Sequence, residues 1–135
     1  MPSNRERSPQ QQLSPQQEKA IDALRERGNA AYQAGNLAEA RQLYSQAVSL
    51  DPRDASAHAH KLHSNLSAVY ASLKEWNLSL LHASKCVDLD PHFAKGWSRM
   101  GAAHEQLEQF VKSVGAYRLC HLLDPDNMNA ARAAE

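Results

Sequence analysis

The sequence is poor in the residues that announce chemistry or a special compartment. Two cysteines, Cys86 and Cys120, stand in 135 residues, too few for a disulfide framework. No run of about 18 apolar residues occurs, which excludes a membrane-spanning helix of the usual kind. The N-terminal segment 1–14 is rich in Ser, Pro and Gln instead of pairing a charged start with an apolar stretch, so it reads as a disordered tail and not a secretory leader. Neither sign of charge dominates: 15 Lys plus Arg balance 15 Asp plus Glu, leaving no net basic field for nucleic acid or an anionic membrane. Nucleotide loop, catalytic triad and metal motif are all missing, so the chain is not expected to be an enzyme or to need a cofactor. Its length suits one domain, residues 15–135, in the cytoplasm and with the nucleus open to it.

Proline and glycine are scarce but ordered. Beyond the N-terminal tract the prolines are Pro52, Pro91 and Pro125, each closing a Leu-Asp-Pro tripeptide. Five positions before each stand Ala47, Cys86 and Cys120, and eight before stand Tyr44, Ala83 and Tyr117. Twelve back are Ala40, Ser79 and Ser113, fifteen back Leu37, Trp76 and Phe110, and twenty-four back Gly28, Ser67 and Gly101. Small residues recurring in register let paired helices approach closely. The interval from Pro91 to Pro125 is one period of a helix-turn-helix repeat, whereas the interval from Pro52 to Pro91 is longer by five positions. The excess falls in Asp54 to Lys61, an Ala-rich stretch without Gly or Pro that is expected to lengthen the next helix by roughly 7 Å.

Short polar turns at Ala34-Gly35-Asn36, Lys74-Glu75 and Glu108-Gln109 divide each unit in two. Helices are therefore expected over 16–33, 37–50, 54–73, 76–89, 93–107 and 110–123, with repeats near 21–54, 60–93 and 94–127. The prolines are expected near the start of the following helix. Residues 127–135 are expected to form a short helix capping the open end of the stack.

The recurring Gly, aromatic, Ala, aromatic, Ala and Pro positions resemble the tetratricopeptide repeat family across roughly residues 19–125. The resemblance implies an all-α solenoid of three tandem repeats. Ser67, Ser79, Ser113 and His104 depart from that pattern without breaking it.

At about 100° per residue, one face of each first helix is core-like: Leu24, Arg27, Gly28 and Ala31, then His63, Leu66, Ser67 and Tyr70, then Trp97, Met100, Gly101 and His104. The opposite face carries Arg25 and Asn29, then Asn65, then Lys95 and Arg99. Asn65 and Arg99 occupy equivalent positions in adjacent repeats. Three permanent cations and two amides, with no carboxylate among them, suit a partner bearing several acceptor oxygens, such as a free peptide C-terminus ending in aspartate. The set resembles the dicarboxylate clamp of Hsp70/Hsp90 co-chaperones, which implies a protein-binding adaptor gripping Glu-Glu-Val-Asp tails of Hsp90, Hsp70 or both. Arg25 stands where that family usually has lysine, keeping the charge on a planar fork. Ala68 and Ala71 follow Asn65 and leave room for an apolar ligand side chain. A scaffold subunit of a larger complex, or the targeting module of a longer enzyme such as a phosphatase or prolyl isomerase, is the alternative.

Other signals have plainer readings. Cys86 and Cys120 share one repeat position, so helix spacing of roughly 8–10 Å keeps them apart as small core residues. His58, His60 and His63 lack partners at metal-site spacing. His104-Glu105-Gln106-Leu107-Glu108 has glutamate where a zinc protease needs its second histidine. Trp76 and Trp97 are expected in the core, and Ser8-Pro9 and Ser14-Pro15 are generic phosphorylation sites in the tail.

Overall fold

The computed structural model describes residues 12–126. Its elements are α1 (Pro15–Gln33), α2 (Leu37–Ser49), α3 (Ala59–Ser72), α4 (Trp76–Leu89), α5 (Ala94–Gln106) and α6 (Phe110–Leu123). Among the described residues there is no strand. Consecutive helices pack as antiparallel pairs α1/α2, α3/α4 and α5/α6, joined through α2 against α3 and α4 against α5. The odd-numbered helices touch along the stack, α1 with α3 and α3 with α5.

α1 starts on a capping box. The Ser14 hydroxyl accepts from the Gln17 amide at 3.1 Å, the Gln17 side chain accepts from the Ser14 amide at 2.7 Å, and Pro15 takes the first helical position. Ser14 is therefore part of the start of α1.

Each pair is joined by the same turn. Asn36, Glu75 and Gln109 donate their amides back to the carbonyls of Ala31, Tyr70 and His104, while Gly35, Lys74 and Glu108 donate to Tyr32, Ala71 and Glu105. That double bond pattern needs its middle residue in the left-handed region, and Gly35, Lys74 and Glu108 have φ of 82°, 60° and 60°.

Inside the pairs the small residues act as the repeat register requires. A Cβ on Gly28 would meet Tyr44 Cε1 at 2.5 Å, and one on Gly101 would meet Tyr117 at 2.9 Å. The middle pair replaces this ring-on-glycine contact by hydrogen bonds. Ser67 donates to the Ser79 carbonyl at 2.8 Å and Ser79 to the Ser67 carbonyl at 2.9 Å. Ser113 donates likewise to the Gly101 carbonyl at 2.8 Å. The serines are thus buried polar groups with partners, which removes the desolvation penalty they would otherwise carry. Cys86 and Cys120 are buried and free, and burial pushes the Cys86 thiol up to about 12.

Several expectations are corrected. The extra stretch before the second repeat does not extend α3, which begins at Ala59. It forms a loop wrapped around the Asp51 carboxylate, which accepts from the Ala55 amide at 2.7 Å and the Ser56 amide at 2.9 Å. Asp54 takes a left-handed φ of 51°, which stops any helix there. The prolines do not start the following helices either: Pro52 and Pro91 sit in turns ahead of Ala59 and Ala94. Arg27, placed on the core-like face, is exposed, while Gly28, Ala31, His63, Leu66, Ser67, Gly101 and His104 of that face are buried. Trp76 and Trp97 are half-buried instead of lying in the core, since each sits in the first turn of its helix at the margin of the pair. The expected capping segment 127–135 lies outside the described residues, as do residues 1–11 of the tail.

Candidate functional site

The odd-numbered helices line a groove of about 510 Å³. α1 supplies Arg25, Asn29, Tyr32 and Gln33, α2 contributes Tyr44, α3 gives Lys61, Asn65 and Ala68, and Lys95 and Arg99 come from α5 with Phe93 just before it. The five residues singled out for the clamp therefore share one cavity wall. Ala68 joins them, and Ala71 does not.

Helical spacing explains the convergence. Arg25 and Asn29, Lys61 and Asn65, and Lys95 and Arg99 are each one turn apart on one face, and stacking the three helices sets those faces side by side. Asn29 is the centre of a network. Its Oδ1 accepts from Asn65 Nδ2 at 3.0 Å and also from the Tyr44 hydroxyl. With its oxygen occupied, Asn29 has its amide N–H donors left to offer as a residue of the groove wall. Burial pushes the Tyr44 hydroxyl up to about 12, with Tyr32 adding to the effect and Arg25 opposing it, so Tyr44 stays a donor at neutral pH.

The cations are not equally free. Arg25 Nε lies 3.6 Å from Asp22 Oδ1, a carboxylate at the edge of the set that sequence reasoning left out. Arg99 Nε is shielded from solvent and has no hydrogen-bond partner. No lining residue of the groove is acidic. Lys61 was also passed over, although it precedes Pro91 by the same interval that separates Lys95 from Pro125.

The histidines do other work. His63 is buried, bonding Asp54 Oδ1 through Nε2 at 2.7 Å and His82 through Nδ1 at 3.0 Å. His82 stacks between His63 and Tyr70, with ring centroids 5.2 and 5.5 Å away. His60 lies 3.7 Å from Asp90 and edge-on to Phe93. Trp97 donates its ring N–H to the Pro91 carbonyl at 2.8 Å. Among the described residues, no group of three His, Cys, Asp or Glu side chains is arranged to hold a metal ion, and no helix is long and apolar enough to cross a membrane.

Stacked helix pairs with glycine-aromatic contacts and a polar groove along their first helices define an α-solenoid of helix-turn-helix repeats. Residues 21–54 match the tetratricopeptide repeat directly, so the chain carries a repeat of that kind. It is 41% identical over 106 residues to the Hsp70-Hsp90 organizing protein of Triticum aestivum, a match covering 78% of this chain and 17% of that protein. It is 34% identical over 109 residues to heat shock protein STI1 of Saccharomyces cerevisiae, covering 81% and 18%. The chain thus spans less than a fifth of the length of these two relatives, at 17% and 18%. Among solved structures it superposes on the first TPR of Spaghetti (RPAP3) bound to HSP90 peptide SRMEEVD, with a TM-score of 0.78, 25% identity, and 85% and 87% of the two chains covered.

Proposed function

We propose that this chain is the tail-binding module of a cytoplasmic co-chaperone adaptor, taking the free acidic C-terminus of Hsp90 or Hsp70 into its groove. The carrying observation is the groove wall itself: four cations and the amides of Asn29, Gln33 and Asn65, with no acidic residue among the lining side chains. Arg25, Asn29, Asn65, Lys95 and Arg99 act as the carboxylate clamp in this reading. A terminal aspartate presents two carboxylates a few ångströms apart, enough acceptors for the Asn29 and Asn65 amides, Lys95 and the unpartnered Arg99 Nε. Desolvated guanidinium donors without a partner are costly, and an incoming carboxylate relieves that cost. The relatives named as Hsp70-Hsp90 organizing proteins, and the neighbour solved with an HSP90 peptide, support the same chemistry. Ala68, with Tyr32 and Phe93, leaves an apolar strip for the ligand's side chains.

Calorimetric titration with a peptide ending Met-Glu-Glu-Val-Asp, beside the same peptide amidated at its C-terminus, tests the proposal. Binding of the free acid that is lost on amidation, and lost again in a Lys95→Ala/Arg99→Ala variant, is the expected result. If neither peptide binds, the tail-binding reading falls and a repeat scaffold with another partner takes its place.

A further inference from the structure

We propose that Lys61 is a selectivity residue of the groove, reading an acidic side chain upstream of the ligand's C-terminal aspartate. This inference rests on the tail-binding reading above. Lys61 is half-buried in the groove wall and occupies in α3 the repeat position that Lys95 occupies in α5. It sits four residues before Asn65, so it lies about 6 Å along the α3 axis from the amide assigned to the terminal carboxylates. An extended peptide advances about 3.3 Å per residue, which brings a side chain about two residues before the C-terminus beside Lys61.

Three observations set Lys61 apart from an ordinary solvated lysine. First, among the described residues it forms no ion pair, while Asp90 pairs with His60 and Asp54 with His63. Second, it stands in the first turn of α3, a helix with no acidic residue in that turn and no side-chain cap. A cation there opposes the helix dipole, and Lys95 repeats the arrangement in the first turn of α5. The two lysines and the two helix N-termini therefore sum to a positive field at one end of the groove. Third, Phe93 lines the groove close by, held edge-on by His60, and gives an upstream residue an apolar surface next to the charge.

The test is a double-mutant cycle by calorimetry on the whole chain. Wild type and Lys61→Gln are each titrated with acetylated Met-Glu-Glu-Val-Asp and with acetylated Met-Gln-Gln-Val-Asp. Wild type is expected to prefer the glutamate peptide by about fivefold, the scale of one partly screened charge pair. Lys61→Gln is expected to bind both peptides alike, at the affinity wild type shows for the glutamine peptide, and Lys61→Arg to restore the preference. A preference that persists in Lys61→Gln, or a wild type that does not discriminate, overturns the role of Lys61 while leaving the clamp standing. Failure of wild type to bind either peptide overturns the clamp reading and this inference with it.

Discussion

Asn65 on α3 donates its amide hydrogen to the Oδ1 of Asn29 on α1, at 3.0 Å, tying together the two first helices that flank the groove. Because Tyr44 donates to the same oxygen, Asn29 is held from behind in one orientation. Asn29→Asp keeps the shape but replaces free donors by negative charge. Peptide affinity is expected to fall by more than about tenfold, the loss of one charge-assisted hydrogen bond. Tyr44→Phe leaves the donors in place and removes only their support, so it is expected to cost about 1 kcal/mol of stability and less than about fivefold in affinity. Calorimetry beside urea unfolding separates the two effects. Equal affinity losses in both variants would show that Tyr44 does more than orient Asn29.

The left-handed turn residues make a stabilising prediction. Lys74 and Glu108 hold φ of 60°, a conformation that opposes any side chain, whereas Gly35 fills the equivalent place in the first repeat. Lys74→Gly and Glu108→Gly are each expected to raise stability by about 1 kcal/mol, since relief of the left-handed strain outweighs the added freedom of the unfolded chain. Gly35→Ala is expected to lower it by a similar amount. Urea midpoints at constant slope give the comparison, and destabilisation by both glycine substitutions would refute the argument.

The contrast between what was legible and what was not follows the periodicity of the interactions. The period, the helix pairing and the buried faces could be read because Gly28, Tyr44, Ser67 and the Leu-Asp-Pro turns encode contacts within one repeat. The loop before α3 could not. Its Ala-rich composition favours helix, but the Asp51 carboxylate captures two amides there and His63, on a later helix, captures Asp54. Two of those bonds are local to the loop and the third ties it to α3, and none of them follows the repeat period. The groove was legible to the extent that charge follows register. Lys61 carried the same signal as Lys95, while the Asp22 partner of Arg25 showed only in the geometry.

Close packing predicts a marked asymmetry between repeats. Gly28→Ala drives a methyl into the Tyr44 ring, with 2.5 Å to Cε1 and 2.7 Å to Cδ1. Tyr44 is buried and bonded to Asn29, so it has little room to yield. A cost of about 2 kcal/mol is expected, together with weakened peptide binding, because any shift of Tyr44 is passed to Asn29. Gly115→Ala meets nothing within 4 Å and replaces a helix-interior glycine, so it is expected to stabilise by about 0.5–1 kcal/mol. Thermal unfolding of the two variants checks both signs, and a Gly28→Ala protein as stable as wild type would show that the α1/α2 contact is looser than the geometry implies.

Two half-buried histidines, His82 and His60, predict a stability that falls on acidification. Burial first, then the neighbouring His63 and Lys85, hold His82 down to about 4 against an ordinary value of 6.5, with Asp54 opposing them. Burial also lowers His60, against the pull of Asp90. A histidine depressed in the folded state binds its proton more readily when unfolded. Below about pH 6.5 the unfolded chain is therefore favoured, and the loss grows until His82 protonates in the folded state near pH 4. Above pH 6.5 the contribution is complete and flat. Tyr70 stacks on His82 as well, and the ionisable groups acting on the ring are His63, Lys85 and Asp54. His82→Gln is expected to flatten the slope of unfolding free energy between about pH 7 and pH 5, at some cost in stability at neutral pH from the lost stacking. Urea unfolding of wild type and variant at about pH 7.5, 6.5 and 5.5 measures both, and parallel slopes would place the acid sensitivity elsewhere in the fold.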